Sequence, residues 1–219
     1  MILRSVLFDL DGTLVDSLED LTDAVNHVRQ QFVLPPLATS AVSMLIGKGA
    51  LNLLQRALPT CSSTEIERAL QLFFDYNAAH IVDKSRLYPG VREMLEVLQN
   101  KGVRLAVVSN KSESLSRLIL KSLGIHDCFE SISGGDTFPE SKPSPLPLLR
   151  VIEQQGVAPQ ECLMVGDSIN DIQAGNLAGM ATVGCSWGYG SSEELNHSIF
   201  IADSCDDLLK TIMELERAS

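Results

Sequence analysis

The sequence predicts an α/β protein whose mostly parallel sheet is interrupted early by an all-helical segment, and three observations lead there. Short runs rich in β-branched and aliphatic residues recur at 5–9, 104–109, 130–133, 162–166 and 181–185. Amphipathic helical patterns separate most of these runs and end in glycine a few residues before the next one, which is the mark of βαβ units. The stretch 17–86 breaks that rhythm with long helical patterns and no convincing strand.

Taken in order, the first run leads straight into Asp9-Leu10-Asp11-Gly12-Thr13. Within 17–86, Leu18, Leu21, Val25 and Val28 fit one helical face, and Ile66, Ala69, Leu70 and Phe73 fit another. This segment reads as an insertion between the first and second strands, and Tyr88-Pro89-Gly90 marks the return to the sheet. Met94, Leu95, Val97 and Leu98 then run amphipathically towards a stop at Lys101-Gly102. A second helix over 114–123 closes at Gly124 and a third over 146–155 at Gly156. The expected division is a sheet domain of 1–16 with 87–219, and a helical domain of 17–86.

A chain of 219 residues with 45% hydrophobic content can bury a full core and fold alone. Its 28 acidic against 17 basic residues give a net charge of -11, which argues against a nucleic-acid backbone or an anionic membrane as partner. An anionic substrate therefore needs local compensation. The five cysteines are odd in number and form no zinc-like pair, so they read as reduced and mostly buried. Residues 1–7 show neither the apolar core nor the cleavage site of a signal peptide, and no apolar run approaches the roughly 20 residues that span a bilayer. The expectation is a cytoplasmic monomer or homodimer.

The chemistry lies at the strand ends. Asp9 and Asp11 are two apart, so both side chains can point the same way, one to attack phosphorus and the other to protonate a leaving oxygen. Alone, such a motif is also compatible with a surface turn; the calcium loop of an EF-hand is disfavoured, because the glycine falls at position four rather than six. Asp167 and Asp171 follow the run 162–166, where the first could ligate a hard cation and the second hold its waters, or both could cap a helix. Ser109-Asn110 could hold phosphate oxygens or cap the helix that follows. Lys142, among the prolines of Ser141-Lys142-Pro143-Ser144-Pro145, could neutralise a phosphate oxygen. Because parallel sheets bind ligands outside the carboxyl ends of their strands, these segments can converge on one cation and one phosphate.

In this order the motifs resemble the haloacid dehalogenase superfamily of aspartate-nucleophile phosphotransferases, over nearly the whole chain. The resemblance implies a Rossmann-like three-layer core with a helical cap inserted after the first strand. It implies Asp9 as nucleophile, Asp11 as general acid and base, Ser109 and Asn110 as phosphate ligands, and Lys142 as their stabiliser. It further implies Mg²⁺ held by Asp9, the Asp11 backbone carbonyl and Asp167, with Asp171 in support, and a small phosphate ester as substrate. In the cap, Ile46-Gly47-Lys48-Gly49 resembles a loop that dips into the site, where Lys48 and Gly49 would meet a second anionic group; Lys48 is equally a solvated lysine in a glycine turn.

Gly47-Lys48-Gly49, Ser109-Asn110-Lys111, Lys142-Pro143-Ser144-Pro145 and Trp187-Gly188-Tyr189-Gly190 look most like the phosphoglycolate phosphatase group. The expected reaction is hydrolysis of 2-phosphoglycolate. The alternatives are a β-phosphoglucomutase-like phosphomutase, a pyrophosphatase, sugar-phosphate or nucleotide phosphatase, and a non-catalytic binding protein on the same scaffold.

Overall fold

The computed structural model describes residues 2–217. Strand β1 (Ser5–Phe8) is followed by β2 (Val15–Asp16) and four helices, α1 (Leu18–Gln31), α2 (Thr39–Ser43), α3 (Gly49–Ala57) and α4 (Ser63–Ala79). After β3 (Arg86–Leu87) the chain alternates: α5 (Val91–Asn100), β4 (Arg104–Val108), α6 (Glu113–Ser122), β5 (Ser131–Ser133), α7 (Leu146–Gln155), β6 (Cys162–Gly166), α8 (Ile169–Ala178) and β7 (Ala181–Cys185). It ends with α9 (Ser192–Leu195), β8 (Phe200–Ala202) and α10 (Cys205–Arg217).

The main sheet has the order β5-β4-β1-β6-β7-β8, and every pair in it is parallel. Its central strands read as continuous apolar runs because both faces are covered. Val6 and Phe8 of β1, Leu105 and Val107 of β4, and Leu163 and Val165 of β6 pack into a cluster with Leu95 and Leu98 of α5, Leu120 of α6 and Leu208 of α10. The intervening Leu7, Ala106, Val108 and Met164 face a second cluster with Leu148 and Val151 of α7 and Ala174 of α8. The result is a three-layer α/β core of the Rossmann type, as expected.

Helices α1–α4 bury a third cluster of their own, in which Leu21, Val25, Val28, Leu54, Ile66, Ala69 and Phe73 interlock. The chain leaves for these helices through β2 and returns through β3, which pair antiparallel as Val15 with Leu87 and Asp16 with Arg86. Buried Asp20 braces this crossing: its carboxylate accepts from Lys84 N, from Ser85 N at 2.8 Å and from Ser85 Oγ at 2.6 Å. Strands β2, β3 and β8 were not expected from the sequence. Two or three residues establish no periodicity, and β8 lies at the sheet edge with Phe200 exposed. All five cysteines are free.

Candidate active site

The loops that leave β1, β4, β5, β6 and β7 gather at one edge of the sheet, as parallel strands require of their carboxyl ends. Asp9 directly follows β1 and its N–H still donates to Val165 O at 2.9 Å, so the sheet fixes it. The chain then folds into a tight turn in which Gly12, at φ +87°, donates to Val15 O. A Cβ on Gly12 would overlap the Asp167 carboxylate, so glycine is needed both for that conformation and for the close approach.

Asp9, Asp167 and Asp171 form a carboxylate cluster in which one oxygen from each lies within 4.8 Å of the others. Lys142 is buried among them, with Nζ 2.6 Å from Asp171 Oδ1 and 2.9 Å from Asp9 Oδ1. That ammonium is the polar side-chain group beside the buried Oδ1 of Asp9. Burial pushes the Asp9 carboxyl up to about 6; Lys142 opposes that shift and Asp171 adds to it. Asp167 is raised well above the usual carboxylate range by burial, then by its two acidic neighbours. For Lys142 burial works against the charge, but Asp171 and Asp9 outweigh it and raise the pKa.

Asp171 takes the capping role that the sequence offered and adds a pairing with Lys142. One oxygen pairs with Lys142, and the other accepts from Ser168 N at 3.0 Å and Ser168 Oγ at 2.7 Å, capping α8. Asp167 accepts from Thr13 Oγ1 at 3.2 Å and from Tyr189 N at 2.7 Å. The carboxylate of Asp11, in contrast, stands outside the cluster: it accepts from Ser17 Oγ at 2.5 Å and pairs with Lys111 Nζ at 3.2 Å.

Ser109 directly follows β4 and lines a cavity of ≈ 60 Å³ between the sheet and the helical insert, together with Asp9, Asp11 and Lys111. The side chain of Asn110 is committed elsewhere: it donates to Gly47 O and Lys142 O, both at 2.8 Å, and accepts from Lys142 N at 3.0 Å. Asn110 is therefore a tie between the insert and the Lys142 loop rather than a free donor. Gly49 lines the cavity; Lys48 is exposed and lines an outer cleft with Arg56, Asp9 and Asp11.

Two groups of residues that the sequence marked only by resemblance, without a role, stand at the site. Lys111 is the first; its charge immediately after a strand-end Ser-Asn was the available signal. Trp187–Gly190 is the second: Trp187 Nε1 donates to Thr13 O at 3.1 Å, and a Cβ on Gly190 would overlap the Asp167 carbonyl. This loop closes the Asp167 side of the site.

Residues 6–185 match the family model of the haloacid dehalogenase-like hydrolases. The chain is 39% identical over 215 residues to a phosphoglycolate phosphatase from Chromobacterium violaceum, covering 95% of this chain and 97% of that one. It is 40% identical over 208 residues to a phosphoglycolate phosphatase from Haemophilus influenzae, covering 91% and 90%. The crystal structure of a predicted phosphoglycolate phosphatase from Haemophilus somnus 129PT superposes with a TM-score of 0.92 at 36% identity, covering 97% of this chain and 99% of that one. With a sheet of this order, a carboxylate cluster at its carboxyl edge and relatives along its whole length, the chain belongs to the haloacid dehalogenase-like hydrolases and is a phosphoric monoester hydrolase of that family.

Proposed function

We propose that this phosphatase hydrolyses 2-phosphoglycolate with Mg²⁺ through an aspartyl-phosphate on Asp9. The observation that carries the reading is Asp9 itself: a carboxylate fixed at the end of β1 in a cluster with Asp167 and Asp171, with Lys142 Nζ 2.9 Å from its Oδ1 and a cavity in front of it. Relatives named phosphoglycolate phosphatase favour this small ester over a sugar phosphate or nucleotide.

The donor set fits a hard divalent cation, since it offers only oxygens. Asp9, Asp167 and the Asp11 backbone carbonyl would hold Mg²⁺, with Asp171 supporting through water. Bound there, the ion would neutralise the phosphate and lessen its repulsion from Asp9.

The remaining chemistry belongs to the chain. The Asp9 carboxylate forms a bond to phosphorus as the bond to the ester oxygen breaks, and Asp11 gives that oxygen its proton. Asp11 then takes a proton from the water that attacks the acyl phosphate, which releases inorganic phosphate and restores Asp9. Ser109 Oγ donates to a phosphate oxygen, and Lys142 holds the charge that passes between Asp9 and the phosphoryl group. The helical insert, 17–86, acts as a cap on the domain formed by 1–16 and 87–219.

The test is phosphate release from a panel of esters, with Mg²⁺ and with EDTA, beside Asp9→Asn. Mg²⁺-dependent turnover that prefers 2-phosphoglycolate and vanishes in the variant is the expected result. Broad weak turnover with no preference would overturn the substrate, and turnover that survives in Asp9→Asn would overturn the nucleophile.

A further inference from the structure

The leaving-group end of the cavity has an uneven lining. The side chains from the insert are all apolar, Ile46, Leu53 and Phe73 among them, whereas the sheet unit adds Asp11, Ser109, Ser112 and Lys111 beside Leu115. Lys111 is the single basic side chain on that lining among the described residues, and its side chain is only 7% exposed. Its backbone is fixed, because its carbonyl accepts from Gly135 N at 2.9 Å. The ammonium has three protons, and the two oxygens of Asp11, at 3.2 and 3.3 Å, engage at most two of them. A negative charge entering an apolar cavity of this kind is stable only against a cation. Lys48 and Arg56 line the outer cleft instead, and Lys142 is taken by Asp9 and Asp171.

We propose that Lys111 determines specificity by binding a carboxylate of the leaving group, so that the enzyme selects phosphate esters of α-hydroxy acids. The inference rests on the reading of Asp11 as the residue that meets the ester oxygen. Lys111 touches Asp11, so a leaving group engaged by both must carry its ester oxygen and its carboxylate side by side. An α-hydroxy acid does so, with only two carbons between the two oxygens. A longer acid would have to fold back to bring both oxygens to this pair, and a neutral alcohol would leave Lys111 with Asp11 alone. The cation that reads the substrate thus comes from the β4 end of the sheet unit, and the insert supplies the apolar wall that excludes water around it.

The experiment compares 2-phosphoglycolate with 2-hydroxyethyl phosphate, in which a hydroxymethyl group replaces the carboxylate. Wild type, Lys111→Met, Lys111→Arg and Lys48→Met are assayed with Mg²⁺ for kcat and KM on both esters. Lys111→Met is expected to cut the preference for the carboxylate ester by about 10- to 100-fold, the range of one charge-assisted hydrogen bond, mainly through KM. Lys111→Arg is expected to recover part of that preference. A preference that survives in Lys111→Met, or collapses in Lys48→Met alone, would overturn the assignment while leaving the phosphoglycolate reading intact. Wild type that turns over both esters equally would overturn both readings.

Should Lys111→Met prove inactive, binding decides. Calorimetry on Asp9→Asn and on Asp9→Asn with Lys111→Met is expected to show weakened binding of 2-phosphoglycolate alone. Equal weakening for both esters, or none, would overturn the proposal.

Discussion

The edge of the sheet around Asp9 and the helical insert above it are held by different forces, and the contrast separates fixed chemistry from adjustable recognition. At the sheet edge, polar groups position one another: Lys142 lies between Asp9 and Asp171, Asp171 caps α8, and Asp167 takes donors from Thr13 and Tyr189. Moving any of these side chains leaves a buried charge without its partner, which is costly. The insert is held by aliphatic and aromatic packing, and the face it turns to the cavity is apolar. Such a wall tolerates exchange of one apolar residue for another of similar volume. The apolar wall around Lys111 should therefore drift, and with it the finer ranking of esters, while the reaction stays constant.

The largest effect that tests this contrast is Asp9→Asn, expected to lower kcat on every ester by on the order of 10⁴-fold or more. Ile46→Ala, in the insert, is expected instead to reorder the esters by roughly 10-fold in kcat/KM, about the worth of one or two methylenes. Parallel loss on all esters in both variants, measured by phosphate release, would break the division.

A smaller effect is expected at Gly12. An alanine there must displace the Asp167 carboxylate, so Gly12→Ala should weaken Mg²⁺ binding by about 10- to 100-fold, read by calorimetry. Unchanged affinity would remove Asp167 from the ligand set.

Next comes the pH dependence of the metal-free protein. The Asp9 carboxyl titrates near 6 in the folded chain against a reference value of 3.8. Between those values the folded chain retains a proton that the unfolded chain has lost, so this group makes stability fall as pH rises from about 4 to 6. The loss is on the order of 1–3 kcal/mol. Urea unfolding in EDTA at pH 4 and pH 7 should show it as an excess fall in wild type over Asp9→Asn, and saturating Mg²⁺ should restore stability at pH 7. Identical pH dependence in the two proteins would contradict the buried, mutually repelling cluster. The hydrophobic cluster of the insert carries no such titration.

The same contrast explains what was legible in the sequence. The main strands β1, β4, β6 and β7 announce themselves because strands buried on both faces must be apolar throughout, and the acids that follow them stand where parallel strands deliver them. Asp9, Asp167 and Lys142 were therefore readable by position and converge in space. Lys111 was not, because its meaning depends on Asp11, 100 positions away in the chain, and a single lysine carries no period. The restraint of Asp167 by Gly190 was hidden for a similar reason, since close approach between two loops leaves only a glycine as its trace. In the insert, helical periodicity revealed most of the residues that pack, though Leu18 stays outside the buried cluster, but not which of them would face the cavity. Lys48, for example, is exposed on an outer cleft that Asp9 and Asp11 also line, a placement that its glycine turn does not encode.

The smallest effect is the most direct probe of how the two regions communicate. Gly47 O, in the insert, accepts from Asn110 Nδ2 at 2.8 Å and from Asn170 Nδ2 at 3.2 Å, so one carbonyl is held by two amides of the sheet unit. Asn170→Ala removes one of these bonds, worth about 0.5–1.5 kcal/mol, and should raise KM by a factor of roughly 2–10 with little change in kcat. Asn110→Ala removes the other bond together with both contacts to the Lys142 backbone, so it should also lower kcat by disturbing the lysine beside Asp9. The difference between the variants isolates the share of Asn110 that serves chemistry rather than closure. If both variants changed KM alone, Asn110 would belong to the insert's anchoring only, and the fixed and adjustable regions would meet at a simple clasp. If Asn110→Ala lowers kcat as well, one side chain couples the position of the insert to the placement of Lys142, and closure over the leaving group helps set the charge at Asp9.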